Sequence, residues 1–447
     1  MTLLAPLLSS LLLLAAGIET DLQQALRASG IDRNGLGIVV GRAGGPVLLS
    51  VGAAEARIPA SNQKLITGAV ALRRLGRDFS FRTIFARGPN GTLVVVGDGD
   101  PNMSGRFFDG DPNRVLRTLA ADLKAEGLAA VPGGILLDAT RFDDRFVHAD
   151  WPVAQLDKWY CAPVAAIVYN DSCWDITVRP GAAVGMPASV LIEPSIFRPA
   201  LDAACTTVPR GRRHGVRFLH TDGGGLRVQG TVVAGTSGES GHLAVKDPVL
   251  FFGNALRAAL VAQGIQVGAG VRRGTVAKPE VLLVYKSTLQ RTLEVMLGRS
   301  QNLYAECLFK RSSPKGSFES AATTAVETLR ELGVPTAGIV VSDGSGMART
   351  NRVSARTLYA ILQKARDEPY FVDSLASGGE GTLRKRYRSL GKRIRAKTGY
   401  ISGVSSLSGY VEGVRGQKYV FSILCNGKST ARARRLQDLI VTTLARR

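Results

Sequence analysis

Three short motifs constrain this chain more than anything else in it: Ser61-Asn-Gln-Lys64, Ser300-Gln-Asn302 and Lys397-Thr-Gly399, in that order. Together they describe a serine acyl-transfer site that uses lysine in place of histidine. A serine hydroxyl is a poor nucleophile until a neighbouring base takes its proton, and a lysine can do that where its surroundings lower its pKa toward neutrality. Residues three apart on a helix share a face, which brings Ser61 and Lys64 within hydrogen-bond reach. The local sequence predicts that helix. Pro59 suits its first turn, Leu65, Ile66, Ala69, Val70 and Leu72 recur at helical spacing, and Gly76 stops it after Leu75. Ser61 then stands near the helix start, where free N–H groups and the helix dipole favour a developing anion.

A Ser-x-x-Lys pair alone recurs by chance and usually marks a solvated helix face. The other two motifs change its meaning. Ser300 and Asn302 precede an apolar, Glu-containing helical pattern through Leu308, while Lys397-Thr-Gly399 follows the strand-like Arg393-Ile-Arg-Ala396 and precedes another alternating stretch. The ordered triple is the signature of penicillin-binding proteins and serine β-lactamases. The chain resembles the D-alanyl-D-alanine carboxypeptidases and endopeptidases of the DacB-type, low-molecular-mass penicillin-binding proteins. Pro59-Ala-Ser-Asn-Gln-Lys64 looks like that family's nucleophile helix, Gly97-Asp-Gly-Asp-Pro101 like its Gly-Asp-Pro turn, and Ala162-Pro-Val-Ala-Ala166 like its Ala-Pro-Val segment. Asp343-Gly-Ser-Gly346, Gly381-Thr-Leu383 and Phe421-Ser-Ile-Leu-Cys-Asn426 stand where the family has similar runs, so the likeness covers almost the whole mature chain.

That resemblance implies an α+β fold: a β-lactamase/transpeptidase-like domain, an antiparallel sheet flanked by helices plus an all-helical lobe between Thr288 and about Ser374. More than half of the chain lies between Ser61 and Ser300, far more than a compact domain of that kind needs. The family fills the gap with a large insertion, usually two subdomains, expected here as a strand-rich α+β region over residues 86–282. The catalytic domain is then discontinuous, residues 18–85 and 283–447. The implied chemistry makes Ser61 the nucleophile on the penultimate D-alanine of a peptidoglycan stem peptide and Lys64 its base, held neutral by burial and nearby cations. Ser300 relays the proton, and Asn302 orients Lys64 and the substrate. Lys397 and Thr398 hold the terminal carboxylate, and the N–H groups of Ser61 and Tyr400, beside Gly399, take the oxyanion. No metal or organic cofactor is required, and β-lactams are expected as inhibitors. A class A β-lactamase releases its acyl group with a Glu-x-x-Leu-Asn loop, and no such pentapeptide lies between Asn302 and Lys397. The alternatives are a true β-lactamase and an inactive peptidoglycan-binding scaffold. Two positions depart from the family pattern: Gln301, where Asp is usual, and Tyr400, where a small hydroxyl residue is commoner and which narrows the expected groove.

The rest of the chain bounds this reading. Leu3 to Gly17 is a short apolar run ending in small residues, which predicts a secretory signal cleaved after Gly17 and a periplasmic protein; the rival is an uncleaved anchor, because no Lys or Arg precedes the run. A net charge of +21, mostly dispersed arginine, fits either weak association with an anionic envelope surface or ordinary solvated faces. Nucleic acid is not an expected partner, since no nucleic-acid motif accompanies the charge. Scattered histidines without a His-Glu-x-x-His pattern argue against a zinc peptidase. Cys161, Cys173 and Cys205 fall in the expected insertion and leave room for one disulfide of unassigned pairing, while Cys307 and Cys425 read as buried small hydrophobes. Gly223-Gly-Gly225 and Gly97-x-Gly99 read as hairpin turns.

Overall fold

The computed structural model describes residues 5–268 and 270–447, with the backbone alone for residues 5–16. The chain divides into two compact units, residues 1–79 with 288–447 and residues 80–287. The expected cuts at 85/86 and 282/283 fall inside the strands Ser80–Arg87 and Glu280–Thr288, which both belong to the second unit's sheet.

In the first unit both ends of the chain build one antiparallel sheet. Its six strands run in the order Ala376–Ser377, Ile394–Ile401, Val404–Glu412, Lys418–Asn426, Leu36–Arg42, Val47–Val51. Side chains alternate across it, so Leu36, Ile38 and Val40 join Leu407, Val411, Phe421 and Ile423 on one face. The C-terminal helix Thr430–Ala445 covers that face with Leu436, Ile440, Val441 and Leu444. Ile18, Leu22 and Leu26, from the helix Ala5–Ala28, complete the same core. The apolar run expected to be a signal lies partly outside the described residues: residues 1–4 are not described, nor are the side chains of residues 5–16. Among the described residues no helix is long and apolar enough to cross a membrane. The Thr288–Ser374 region consists of helices joined by loops, the longest lying between Phe318–Glu331 and a two-residue strand, Val353–Ser354, that pairs with Ala56–Arg57.

The second unit is α+β. Its five-stranded sheet orders Val271–Arg273, Ile135–Asp138, Leu93–Val96, Ser80–Arg87, Glu280–Thr288, and its first three strands run parallel. Two three-stranded sheets accompany it. Trp174, Phe197 and Phe251 pack ring against ring, and the buried Tyr169 hydroxyl donates to the Pro112 carbonyl. Gly223–Gly225 makes the expected tight turn, with Thr221 N–H bonded to Gly225 O. Gly97 and Gly99 do not form a hairpin. Their N–H groups bond Asp138 O and Ala166 O, so the segment lies flat against two neighbouring segments. All five cysteines are buried free thiols, and burial alone pushes Cys161 up to about 12, which leaves it unreactive.

Asp100, in the Gly97–Pro101 run, is a buried carboxyl of this unit. Its Oδ1 accepts from Asn102 N, Asn102 Nδ2 and Ser287 Oγ at 2.9, 3.0 and 2.6 Å, whereas its Oδ2 is buried without a hydrogen-bond partner. Burial raises the acid to about 6, against the lowering effect of those hydrogen bonds. A carboxyl whose folded pKa exceeds its unfolded one favours the fold below the unfolded value, and that contribution is lost as pH rises through the folded value. Asp100→Asn should therefore flatten the profile: between about pH 4 and pH 7 the wild type should lose on the order of 3 kcal/mol more stability than the variant. Thermal unfolding of both chains across that range checks this.

Candidate active site

Ser61 lies in a single 3-10 turn, Ala60–Asn62, that feeds the helix Gln63–Leu75, which ends at Gly76 with φ of 85°. The turn is strained at its start, for Ala60 has φ of 47° without being glycine. Such a residue costs on the order of 1–3 kcal/mol and persists where neighbours over-determine it. Asn62 supplies that hold. Its buried Nδ2 donates to Lys397 O at 3.1 Å and to Ser406 Oγ at 2.8 Å, and Ser406 Oγ donates to Pro59 O at 2.7 Å. The turn that carries Ser61 is thus tied to the strand Ile394–Ile401 on one side and to Val404–Glu412 on the other. Lys397-Thr-Gly399 sits inside the former strand rather than after it.

Lys64 is fully buried, one helical turn after Ser61. Its Nζ donates to Ser61 Oγ at 3.1 Å, Asn302 Oδ1 at 2.7 Å and Ser345 O at 2.8 Å. Asn302 starts the helix Asn302–Arg311, and the Gln301 side chain accepts its N–H, so the amide that replaces the usual Asp acts as a cap. Burial lowers Lys64 to about 7. The expectation that nearby cations assist is corrected: the charges acting on Lys64 are the carboxyls of Glu306 and Asp343, which oppose the shift. Both acids are buried. Glu306 accepts from Gly344 N and Ser345 N, each at 2.8 Å, and burial with the neighbouring Asp343 raises it above the ordinary carboxylate range, against the lowering effect of those hydrogen bonds. Asp343 accepts from Gly346 N and Ala348 N at 2.7 Å and from Asn351 Nδ2 at 2.8 Å.

Ser300 and Lys397 form the other half. Lys397 Nζ, also buried, donates to Ser300 Oγ at 2.7 Å and to Thr398 O at 2.8 Å. Burial, and then the positive charge of Lys64, holds Lys397 well below the ordinary lysine range. Ser300 itself has φ of 64°, a second strained residue at the site. At Gly399 a Cβ would stand 2.2 Å from Ser406 Oγ and 3.0 Å from Ser61 N, so a side chain there would separate the strand from the Ser61 backbone amide. Tyr400, next along, is 60% exposed. Ser61, Lys64, Ser300, Asn302, Lys397, Thr398 and Gly399 are therefore brought to one place in the first unit, where the two motif lysines lie close enough to repel.

Residues 18–447 match the D-Ala-D-Ala carboxypeptidase 3 (S13) family. The chain belongs to that family. It is 33% identical to the D-alanyl-D-alanine carboxypeptidase of Actinomadura sp. (strain R39), over 91% of this chain and 80% of that protein. Its fold resembles the crystal structure of penicillin binding protein 4 (dacB) from Haemophilus influenzae, with a TM-score of 0.80, 21% identity and coverage of 96% and 99% of the two chains. A second structure of that Haemophilus protein, complexed with a β-lactam, gives 0.74 at 21% identity and the same coverages of 96% and 99%. As an S13 member the chain is a serine peptidase, a hydrolase of the D-Ala-D-Ala carboxypeptidase class.

Several residues of this candidate site escape sequence reasoning. Asn62 lies inside the first motif but reads as a spacer, and Ser406 lies in an ordinary alternating strand. Asp343-Gly-Ser-Gly346 reads as a tight turn capped by Asp343, which it is, yet the turn also presents the Ser345 carbonyl to Lys64. The motif's glycines were the available signal. Gly346 has φ of 84°, and a Cβ on it would stand 1.9 Å from Ala60 O. Gly346→Ala should displace the Ser61 turn, lowering the thermal midpoint by several degrees and acylation by about a hundredfold. A variant with wild-type acylation kinetics would show that this contact does not position Ser61.

Proposed function

We propose that this S13 enzyme removes the terminal D-alanine from peptidoglycan stem peptides, and cleaves D,D cross-links, through an acyl-enzyme on Ser61. The observation that carries the reading is the Lys64 amine 3.1 Å from Ser61 Oγ, desolvated to about 7. Neutral Lys64 accepts the Ser61 proton as Oγ bonds to the carbonyl carbon of the penultimate D-alanine. The oxyanion is taken by the N–H groups of Ser61 and Tyr400, which the side-chain-free Gly399 keeps together. Ser300, already bonded to Lys397, relays the proton taken up by Lys64 to the leaving amine as the C–N bond breaks, which returns Lys64 to its neutral form. Asn302 fixes the direction of the Lys64 amine and bonds the substrate amide.

Lys397 and Thr398 hold the substrate's free carboxylate. A buried lysine held below its ordinary range is poorly stable as a cation until a counter-charge arrives, so an anionic terminus is a matched ligand. Terminal D-alanine and the D-centre of a cross-link both present a carboxylate beside the scissile bond, so one pocket serves carboxypeptidase and endopeptidase work. A β-lactam offers a strained amide beside a carboxylate and acylates the same serine. Water then releases the acyl group, slowly for the drug. Exposed Tyr400 borders the groove and restricts bulky stems. The second unit, residues 80–287, is the family's insertion, with its separate sheets as subdomains. The protein works after export to the periplasm with its leader removed after Gly17, consistent with Ile18 starting the packed core. Its dispersed arginines favour weak contact with anionic envelope polymers.

Fluorescent penicillin should label the wild type stably and Ser61→Ala not at all, read by denaturing gel and intact mass. Pentapeptide stems should lose one D-alanine, and cross-linked dimers should yield monomers. Drug loss without lasting label would make the protein a β-lactamase; no reaction would leave a scaffold. Because Lys64 must be neutral to act, the acylation rate should rise with pH through about 7. A rate that is flat across that interval would remove Lys64 from the role of base.

A further inference from the structure

Behind Lys64 stands a pair of buried acids that the acyl-transfer steps do not use. Glu306 lies one helical turn beyond Asn302, and both its oxygens are occupied by backbone N–H groups, Gly344 on Oε2 and Ser345 on Oε1. The carbonyl of the same Ser345 receives the Lys64 ammonium at 2.8 Å. Asp343 binds the far end of this turn through Gly346 and Ala348. Two carboxyls thus lace one short turn, and a turn that needed only holding would be held by neutral amides without burying like charges together.

We propose that Glu306 is a positioning residue for the Ser61–Lys64 pair: it fixes the carbonyl that aims the Lys64 amine, and with Asp343 it supplies the buried negative charge that offsets the Lys64 cation. This rests on the reading of Ser61 as nucleophile and Lys64 as base. When the Ser61 O–H bond breaks, its proton goes to Lys64 and a cation appears where no water can solvate it; when that proton leaves with the amine, the cation disappears. A nearby carboxyl that shares its charge with Asp343 stabilises the first state without trapping it. The groups facing Glu306 fit that role. They are Asp343 from the turn, Lys64 from the nucleophile's helix and, beyond it, Lys397 from the sheet. Lys310, on the same helix, holds its ammonium 4.7 Å from the centre of the Phe318 ring. The helices Phe318–Glu331 and Leu289–Leu293 and the following Glu294–Gly298 turn bury uncharged side chains.

The test compares the full chain with Glu306→Gln and Glu306→Asp, following the second-order rate of acylation by fluorescent penicillin from about pH 5 to about pH 9, the span over which buried lysines and glutamates titrate. Loss of the counter-charge should move the acid limb of Glu306→Gln to lower pH by on the order of one pH unit. Its plateau should fall roughly tenfold, part of what a well-placed base supplies. Glu306→Asp retains a charge one carbon shorter, so its plateau should fall while its limb stays near the wild-type position. An unmoved limb in Glu306→Gln, whatever the plateau, would reduce Glu306 to a structural tie and overturn the proposal. Should that variant show no cooperative unfolding transition, Asp343→Asn takes its place: its limb must move in the same direction, and a static one overturns the idea equally. A wild type that takes no label would instead sink the Ser61 reading on which the proposal stands.

Discussion

The arrangement depends on burying one ammonium group. Lys64 has no exposed surface and gives its hydrogens to acceptors from distant stretches of chain: Ser61 beside it, Asn302 at a helix start, and the Ser345 carbonyl in a turn. A buried cation without partners is among the costliest defects a fold can carry, so the site's geometry and the stability of the surrounding unit are one constraint. Desolvation also makes the group useful, because it brings a lysine into the range where it can exchange a proton near neutrality.

Holding those segments in register falls to residues that take no part in the chemistry. The sheet fixes the strand Ile394–Ile401 through a continuous antiparallel ladder with Val404–Glu412, from Ile394 opposite Val411 to Ile401 opposite Val404. Asn62 and Ser406 then tie the Ser61 turn to that ladder. Backbone strain collects at this site, at Ala60 before Ser61 and at Ser300 beside Lys397. The turn around Ala60 is held by hydrogen bonds to two strands, and Ser300 accepts from Lys397.

Much of this was legible in the sequence because the chemistry demands uncommon combinations. The apolar runs at 35–41, 46–51, 405–411 and 419–425 read as strands and fall within a residue of Leu36–Arg42, Val47–Val51, Val404–Glu412 and Lys418–Asn426, and helical periodicity with Gly76 placed the helix that follows Ser61. Less legible was whatever depends on contacts between remote segments. Nothing local marks Asn62 as a tie to residue 397, or Glu306 as the partner of a turn at 344–345, because an Asn near a helix start and a Glu within a helix are ordinary choices. The sign of the charges around Lys64 was misread for the same reason. Its motif partner Lys397 is visible in the sequence, whereas Glu306 and Asp343 become its electrostatic neighbours only when the turn at 342–348 folds against the helix Asn302–Arg311. The Gly97–Gly99 segment failed as a hairpin because its donors are taken by carbonyls far along the chain, at Asp138 and Ala166, which glycine content alone does not encode.

Charge balance gives these details a common logic. The site buries two lysines, Lys64 and Lys397, and two acids, Glu306 and Asp343. In low dielectric, such a set is stable when its net charge stays near zero, and each proton position then depends on the others. On the proposed reading the substrate brings a further negative charge beside Lys397, which draws a proton there and, through repulsion between the lysines, makes a proton on Lys64 less favourable. Binding of the correct, carboxylate-ended substrate would in that way prepare the base that activates Ser61 for attack. A lysine suits this better than a histidine: its single nitrogen both accepts the Ser61 proton and serves as the group whose proton affinity the bound carboxylate adjusts.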